Sequence, residues 1–293
     1  MSKKLVIFGG SGFVGGNMSK IAQEKGWQVI IADNRPVSGA GYQLVDITDK
    51  DSVENVMGEI QPTAVVNLAA IADIDLAERE KELAYKVNVT GAKNVAESCA
   101  KRRIRYVYFS SDAVFDGEGS SYHEEDPLGP VNYYGKTKLD AEKAVFQVLP
   151  AAAVIRISLV LGYPIQSGNS FFANLQSKLK EGKDIPAPIY EIRTPVDVYT
   201  LSECVLELCE NNFAGVLHIG ATNSISRYDL TRELARRMGY DEKVITPEMV
   251  PEVKAGRAPR HKNGIINVAK AQDLLKTKLL STTESIQRAF DQH

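Results

Sequence analysis

The sequence predicts an α/β fold: a Rossmann-like, doubly wound parallel sheet with a smaller α/β part toward the C-terminal end. Short apolar runs of strand length alternate with amphipathic helical stretches through the first half of the chain. The first apolar run leads into a glycine-rich turn that opens a helix, and a second apolar run then ends in an acid. A chain of 293 residues is long enough to build a large core around such a sheet.

The opening strand, glycine turn, helix and second strand have the pattern of a dinucleotide-binding fingerprint. The turn reads Gly9-x-x-Gly12-x-x-Gly15. The first glycine permits the tight turn, the second leaves room for a pyrophosphate beside the backbone, and the third lets the helix pack closely on the strand. Asp33 ends the second strand, where a carboxylate accepts hydrogen bonds from the ribose hydroxyls of adenosine. We therefore expect a nucleotide cofactor at this turn.

The remaining elements of the first part follow in order along the chain. Periodicity and turn residues predict a short strand at 44–45, a helix capped by Thr48 or Asp49 that holds the apolar positions of 53–60, a strand over 64–68, a helical region over 82–102, a strand over 105–109, a helix over 132–148 and a strand over 152–157. Ligands of doubly wound sheets bind outside the carboxyl ends of the strands. Because Gly15, Asp33, Asn67 and Ser111 fall at or just after such ends, we expect them at one site.

The second half of the chain is less regular. The sequence predicts a strand over 216–219, which we expect to be the last strand of the sheet, and helices over 171–181, 197–211, 226–238, 269–275 and 282–290. We therefore expect residues 1–160, with 190–220 returning to them, to form the dinucleotide-binding domain. Residues 161–189 and 221–293 are expected to form the smaller part.

Composition excludes several classes of function. The formal net charge is −2, so bulk charge favours neither nucleic acid nor an anionic membrane as a partner. No apolar run reaches the length of a membrane span. Cys99, Cys204 and Cys209 have neither metal-site nor disulfide-framework spacing, which suits a reducing compartment. We expect a cytoplasmic protein without a bound metal.

The reactive side chains are predicted to be Ser111, Tyr134 and Lys138. Tyr134 and Lys138 are four residues apart on a predicted helix, so both lie on one face. Reduction of a ketone requires a hydride on carbon and a proton on oxygen, and a tyrosine delivers that proton when a nearby ammonium lowers its pKa from about 10 toward neutrality. A serine hydroxyl at a strand end holds the carbonyl oxygen nearby. The plainer alternative is that Tyr134 and Lys138 form an ordinary surface pair.

Four stretches together resemble the extended short-chain dehydrogenase/reductases: the glycine turn, Asn67 to Ala70, Ser110-Ser111 and Pro130-x-x-x-Tyr134-x-x-x-Lys138. Within that group the chain is most similar to the dTDP-4-dehydrorhamnose reductase family. The resemblance implies that Tyr134 is the proton donor and that Ser111 orients the keto oxygen. It also implies that Lys138 lowers the pKa of the tyrosine and contacts the nicotinamide ribose, and that Asn88 supports Lys138 through a water or a main-chain contact.

The resemblance implies an NAD(P) cofactor. Asp33 repels a 2′-phosphate and favours NAD(H), whereas Arg35 can turn toward that phosphate and permits NADP(H). We expect NAD(H) to be preferred. The cofactor-binding residues implied by the resemblance are Gly9, Gly12, Phe13, Val14, Gly15, Asp33, Asn34, Arg35, Asp46, Ile47, Leu68, Ala69, Ala70, Asn88, Ser110, Tyr134 and Lys138.

The substrate side departs from the family pattern. Ala113 stands where the family has an aromatic residue, Leu76 where it has a lysine, and Leu159 where it has a tryptophan. The expected substrate is a small-molecule sugar with a keto group, linked to a nucleotide, and its identity is left open. The candidate substrate residues are Ala113, Asn169, Phe172 and Arg193. A basic cluster at 257–262 is equally consistent with a cover over an anionic substrate and with a solvated face.

Other activities remain open at this stage. A nucleotide-sugar 4-epimerase uses the same three side chains and a tightly held NAD. Sugar-nucleotide 4,6-dehydratases place an Asp–Glu pair after the hydroxyl residue, whereas here Asp112 is followed by Ala113, which argues against that reaction. A non-catalytic, regulatory function is a further alternative, because the regulatory beta subunit of methionine adenosyltransferase resembles the same reductases. The resemblance is compatible with a homodimer.

Overall fold

Seven parallel strands form the central sheet of the part of the chain that the structure describes. The structure, a computed structural model, describes residues 3–35, 41–165, 168–250 and 256–292. Within these ranges the strands are β1 (Lys4–Phe8), β2 (Gln28–Asp33), β3 (Tyr42–Leu44), β4 (Ala64–Asn67), β5 (Arg105–Ser111), β6 (Ala153–Ile157), β7 (Val160–Leu161), β8 (Ile185–Pro188), β9 (Ile192–Arg193), β10 (Val196–Asp197), β11 (Gly215–Ile219), β12 (Ile225–Ser226), β13 (Ile245–Glu248) and β14 (Asn263–Gly264).

Helices cover both faces of this sheet. They are α1 (Phe13–Glu24), α2 (Lys50–Ile60), α3 (Ile74–Arg79), α4 (Lys81–Tyr85), α5 (Ala92–Arg102), α6 (Tyr133–Val148), α7 (Phe171–Lys180), α8 (Val198–Glu210), α9 (Arg227–Arg237), α10 (Ala269–Leu274) and α11 (Thr282–Asp291). A π-helical turn, Lys86–Gly91, joins α4 to α5, and 3₁₀ turns lie at Asp112–Val114 and Glu242–Val244. Among the helices in these ranges, none combines the length and the apolar character needed to cross a membrane.

The strand order places a crevice beside β1. The order is β11-β6-β5-β4-β1-β2-β3, and each strand is parallel to its neighbours. The chain runs from β1 outward to β3 on one side and then returns to β4 on the other. Ligands of open α/β sheets bind outside the carboxyl ends of the strands at such a switch point. The fold class predicted from the sequence is confirmed, and the run at 216–219 lies in the edge strand β11.

Both faces of the sheet are buried. Leu5 and Ile7 of β1 pack in the cluster formed with α1 and α8, whereas Val6 and Phe8 pack in the cluster formed with α2, α5 and α6. All four side chains are fully buried. Side chains alternate between faces along a strand, so burial on both faces explains why this strand is a continuous apolar run in the sequence.

The smaller part has a separate core. Leu161, Phe172, Leu230 and Ile286 are buried together between β7, α7, α9 and α11. Three short sheets surround this core, with strand orders β10-β7, β12-β9-β14 and β13-β8. The ring of Phe172 lies 5.2 Å from that of Tyr163, and aromatic edge contacts of this kind are typical of cores.

The helical region predicted over 82–102 differs in the structure. It consists of α4, the π turn and α5, and a further helix, α3, precedes it. A π turn widens the helix by one residue and shifts the faces on which later side chains lie. Asn88, the central polar residue of this turn, is buried as a result. A regular 3.6-residue period does not reveal such a turn.

The close contact at Gly15 predicts that alanine substitutions at two neighbouring glycines of α1 change the free energy of unfolding differently. A Cβ at Gly15 would lie 2.5 Å from the Cα of Gly10, whereas a Cβ at Gly16 would meet nothing within 4 Å. Gly15→Ala is expected to lower the free energy of unfolding by about 1–3 kcal/mol, since backbone has to move. Gly16→Ala is expected to leave it unchanged or raise it by up to about 1 kcal/mol. Urea unfolding of both variants measures this, and equal effects would contradict it.

Candidate functional site

The glycine turn brings the backbone of β1 against the loop after β4. Gly9 has φ +75°, and a Cβ there would lie 2.7 Å from the backbone nitrogen of Ala69. A Cβ at Gly12 would meet only the carbonyl oxygen of Gly9, at 3.5 Å, so the other side of Gly12 is open. Gly12 also precedes α1, whose N-terminal N–H groups favour an anion. This cradle fits a pyrophosphate group.

A cleft of about 360 Å³ opens at the carboxyl ends of β1, β2 and β4. Its polar end is formed by Asp33, whose carboxylate accepts hydrogen bonds from the Ser11 hydroxyl at 2.6 Å and the Arg35 backbone nitrogen at 3.3 Å. The Arg35 guanidinium lies 3.6 Å from the same carboxylate, and its side chain is 62% exposed. The cleft is lined by Gly9, Gly12, Ala32, Asp33, Asn34, Arg35, Val45, Asp46, Ile47, Leu68, Ala69, Ala70, Ile71 and Val87.

A second cavity, of about 260 Å³, continues from the first. Both are lined by Gly9, Gly12, Leu68 and Ala70, so together they form one groove. The second cavity contains the three side chains expected to react and is lined by Gly9, Gly12, Phe13, Val14, Gly15, Leu68, Ala70, Ala72, Phe109, Ser110, Ser111, Tyr134, Lys138, Ile157, Ser158 and Asn169. A groove of this length and polarity suits a dinucleotide that spans the glycine turn.

The start of α6 carries Tyr134 to Ser111. Asn132 caps this helix by accepting a hydrogen bond from the Gly135 backbone nitrogen at 2.8 Å. A Cβ at Gly135 would lie 2.0 Å from the carbonyl oxygen of Ala113, so only glycine allows the helix to approach the turn after β5. Burial raises the pKa of Tyr134 to about 12, although a hydrogen bond with Ser111 lowers it in part. The phenol is therefore protonated at neutral pH.

Lys138 lies one turn further along α6 and is 3% exposed. Burial lowers the pKa of Lys138 to about 7, and the nearby Glu142 carboxylate offsets part of this effect. Its ammonium nitrogen lies 4.5 Å from the ring centre of Tyr108. Burial dominates the pKa of Tyr134, and the lowering of this pKa by Lys138 that the resemblance implies stays a prediction.

Asn88 supports α6 through the residue before Lys138. Its side-chain amide donates to the Thr137 hydroxyl at 2.9 Å and to the carbonyl of Ile71 at 3.2 Å. Its amide oxygen accepts from the Ile71 backbone nitrogen at 2.7 Å. Asn88 therefore fixes a wall of the groove to α6, whereas the resemblance implies support of Lys138 through a water or a main-chain contact. The π turn, in which Asn88 lies, directs the Asn88 side chain toward Thr137.

Ser110 lies in the wall of the second cavity, but its hydroxyl is directed into the protein. It donates to the carboxylate of Glu142, which forms a buried ion pair with Arg156 at 2.7 Å. Glu142 and Arg156 are each less than one-tenth exposed. This pair holds α6 to β6 beneath the reactive side chains.

Of the four candidate substrate residues, only Asn169 lines the groove among the described residues. Phe172 is fully buried in the core of the smaller part. Arg193 is buried, and its guanidinium donates to the carbonyls of Ile192, Lys262 and His261 at 2.8, 2.9 and 3.1 Å. Ala113 is 2% exposed in the turn after β5. The sequence analysis predicted that Ala113, Phe172 and Arg193 lie near a substrate. In the structure all three side chains are buried inside the protein.

Two residues of the basic cluster at 257–262, Arg260 and His261, bind carboxylates of the protein. Arg260 forms a two-pronged ion pair with Asp75 of α3, at 3.0 and 2.9 Å, and this pairing lowers the pKa of Asp75. His261 is buried beside Asp112. The interpretation as a solvated face is therefore wrong for Arg260 and His261. No pattern in the sequence predicts that this loop contacts α3.

A third cavity, of about 210 Å³, lies between α7, β8 and α9. Arg227 lines it, and its guanidinium lies 4.1 Å from the ring centre of Phe171. Burial lowers the pKa of Arg227 to about 10, and its Nε is buried without a hydrogen-bond partner in the described part of the chain. Asn174, at the rim, donates to Asn169 of the reactive cavity. The sequence analysis missed Arg227 because nothing marks a single arginine at a helix start.

A larger cleft of about 490 Å³ lies on the outer side of α1, and none of the expected reactive residues lines it. Within the residues that the structure describes, no group of three or more His, Cys, Asp or Glu side chains is arranged to hold a metal ion.

Comparison with known proteins agrees with this site. Residues 3–293 match the family model described as the RmlD substrate binding domain. A dTDP-4-dehydrorhamnose reductase of Mycolicibacterium smegmatis is 30% identical over 263 residues, which cover 89% of this chain and 75% of that protein. Methionine adenosyltransferase 2 subunit beta of Rattus norvegicus is 27% identical over 279 residues, covering 93% and 83%.

Solved structures give the same result. The crystal structure of dTDP-4-dehydrorhamnose reductase from Bacillus anthracis in complex with NADP superimposes with a TM-score of 0.91 at 26% identity, covering 100% of both chains. The resemblance predicted from the motifs is confirmed at the level of family and fold. Nicotinamide cofactors are present in such neighbours, as in this NADP complex, which supports cofactor binding in the groove.

The burial of Lys138 predicts a variant that is more stable than wild type. The folded protein releases the lysine proton near pH 7, whereas the unfolded chain retains it to about pH 10.4, so wild-type stability rises with pH in this window. Lys138→Met is therefore expected to stabilise the protein, most strongly below pH 7 and progressively less toward about pH 10. Lys136→Met, at an exposed position on the same helix, is the control. Urea unfolding across this pH range measures both, and a pH-independent difference for Lys138→Met would contradict the burial argument.

Proposed function

Because the chain belongs to the RmlD substrate-binding domain family, we propose that it is an NAD(P)-dependent reductase of a keto group on a nucleotide-linked sugar. One observation carries the proposal: Ser111, Tyr134 and Lys138 meet at one end of a groove whose other end holds Asp33 and the glycine turn. In this proposal the cofactor lies on residues 1–160 with 190–220, and the sugar is held by 161–189 and 221–293.

The residues of the groove would hold the cofactor as follows. Gly12 and the N-terminal turn of α1 take the pyrophosphate, Asp33 takes the adenosine ribose, and Lys138 takes the nicotinamide ribose. A bound reduced nicotinamide supplies the hydride for the carbonyl carbon. We infer a preference for NAD(H), because the Asp33 carboxylate accepts ribose hydroxyls. Arg35, exposed beside that carboxylate, also allows NADP(H).

Tyr134 is the proton donor in this mechanism. Its raised pKa keeps the phenol protonated, so the proton is in place before the reaction. Ser111 lies beside Tyr134 in the same cavity and holds the phenol oxygen in place for the transfer. Lys138 stabilises negative charge on the phenol oxygen after the proton has left. Exclusion of water from this end of the groove strengthens that interaction.

The third cavity supports a nucleotide-linked substrate. Arg227 carries five N–H donors but makes no side-chain hydrogen bond within the described residues, and it stacks on Phe171. The guanidinium is half-buried, and the Glu191 carboxylate raises its pKa without forming an ion pair with it, so its N–H donors are available to an anionic ligand. The Asn174–Asn169 hydrogen bond brings the rim of this cavity next to the rim of the reactive one, and we propose that one extended molecule reaches from one to the other. A sugar with a diphosphate on one side has the required shape and charge.

A non-catalytic binding role is the second candidate. The specific observation in its favour is the likeness to methionine adenosyltransferase 2 subunit beta, which is 27% identical over 93% of this chain. In that case the groove holds a nicotinamide cofactor and the reactive side chains do not turn over. Measurement of hydride transfer separates the two functions.

The reductase proposal predicts oxidation of reduced cofactor by a keto sugar. Protein mixed with a nucleotide-linked 4-keto-6-deoxyhexose and either NADH or NADPH is expected to lose the nicotinamide absorbance, faster with NADH. Tyr134→Phe is expected to bind cofactor normally and to turn over about 10²–10⁴-fold more slowly. Absence of turnover in wild type, with tight cofactor binding, would favour the binding role.

The role of Arg227 predicts a selective loss of affinity. Arg227→Ala is expected to raise the KM for the nucleotide-linked substrate about tenfold or more, because a charge-assisted contact to the diphosphate is lost. Calorimetric titration with dTDP should show the same loss, while the affinity for NADH stays unchanged. Arg236→Ala, on the exposed side of the same helix, is the matched control. Unaltered dTDP binding by Arg227→Ala would contradict this part of the proposal.

A further inference from the structure

The carboxylate of Asp112 lies directly behind Ser111 and is 3% exposed. One oxygen, Oδ1, accepts from the Ser111 hydroxyl at 3.0 Å. The other, Oδ2, accepts from the Ser158 hydroxyl at 2.8 Å and from His261 Nε2 at 3.1 Å, and Arg193 Nε lies 3.8 Å away. Burial alone would raise the pKa of Asp112, but His261, Arg193 and Ser158 outweigh it and lower the pKa to about 2. The carboxylate is therefore ionised and accepts only.

The hydroxyl hydrogen of Ser111 already has an acceptor. A serine hydroxyl has one hydrogen and two lone pairs. Its hydrogen is donated to Asp112, and its oxygen accepts from the Ala113 backbone nitrogen at 3.2 Å. The remaining lone pair is available to the Tyr134 phenol, which lines the same cavity and whose pKa Ser111 lowers. Ser111 cannot donate to a second group in this state without leaving Asp112.

The chain makes room for the pair of His261 and Asp112 with two glycines. A Cβ at Gly264 would lie 2.3 Å from Asp112 Oδ2 and 2.8 Å from His261 Nε2. A Cβ at Gly117, which has φ +80°, would lie 2.6 Å from the Cβ of His261. The ion pair of Arg260 with Asp75 holds the loop in place one residue before the histidine. Because a carboxylate only accepts, His261 Nε2 carries the hydrogen that joins them.

We propose that His261 and Asp112 are positioning residues that set the direction of the Ser111 hydroxyl hydrogen. The proposal deepens the proposed function and rests on it for its kinetic consequences. Before the reaction the Ser111 hydroxyl hydrogen is directed at Asp112, so the Ser111 oxygen accepts a hydrogen bond from the Tyr134 phenol. When the phenol O–H bond breaks and its proton forms an O–H bond on the substrate oxygen, the phenolate requires a donor. Ser111 then rotates its hydrogen from Asp112 to the phenolate, and His261 and Ser158 keep Asp112 satisfied through Oδ2.

The first test uses the cofactor-free, full-length protein and does not depend on turnover. Carbon-13 NMR of labelled aspartate, with the Asp112 signal assigned through Asp112→Asn, follows the ionisation of this carboxyl. In wild type the signal is expected to keep its ionised shift throughout the acid range in which the protein stays folded. In His261→Leu the pKa of Asp112 is expected to rise into that range, because the lost donor lowered it. His261→Gln, which retains an N–H donor, is expected to resemble wild type.

The second test measures kcat with NADH and a nucleotide-linked 4-keto-6-deoxyhexose. His261→Leu is expected to lose about tenfold in kcat with unchanged NADH affinity, and His261→Gln to retain most of the activity. Unchanged Asp112 ionisation in His261→Leu, or equal defects in the leucine and glutamine variants, would overturn the proposal. If wild type does not turn over, the proposed reductase function fails, while the NMR measurement still decides whether His261 positions Asp112.

Discussion

The site depends on how closely three backbone segments approach one another at the carboxyl end of β1. The loop after β4 lies against Gly9, where a Cβ would be 2.7 Å from Ala69, and the first turn of α1 lies against Gly10, where a Cβ on Gly15 would be 2.5 Å away. A Cβ on Gly168 would lie 2.5 Å from the Phe13 nitrogen, so the segment before α7 is held there as well. These contacts join the two cavities into one groove. A ligand can then span from Asp33 to Tyr134.

The groups around this groove are satisfied only in part by the protein. Lys138 is a buried cation with a pKa lowered to about 7, and the hydroxyl of the Tyr108 ring beneath it is buried without a partner among the described residues. Arg227 Nε and His261 Nδ1 are also buried without a hydrogen-bond partner among the described residues. Unsatisfied buried polar atoms cost stability, and proteins retain them mainly at functional sites. Three of the described atoms of this kind lie around the groove and the third cavity, which agrees with a site completed by its ligands.

Local patterns in the sequence were sufficient to predict the fold class and to place Ser111, Tyr134 and Lys138 in one cavity. The glycine spacing, the acid at the end of β2 and the four-residue step from Tyr134 to Lys138 are each produced by one element, so periodicity and turn chemistry reveal them. Long-range burial was not predictable in this way. Phe172 and Arg193 look like substrate residues by position, yet the first fills a core and the second binds backbone carbonyls. The π turn at Asn88, the partners of Asp112 and the Arg227 Nε without a hydrogen-bond partner among the described residues arise only from the assembled structure.

Transfer of an isotope from cofactor to sugar tests the central claim most directly. Reduced nicotinamide cofactor deuterated at the transferable position would be incubated with the protein and a nucleotide-linked 4-keto-6-deoxyhexose, and the sugar product analysed by mass spectrometry and NMR. A single groove that joins the cofactor to Tyr134 predicts deuterium on the former carbonyl carbon. Cofactor binding at the groove with no labelled sugar, across keto sugars of several nucleotides, would contradict the assignment of this site to hydride transfer.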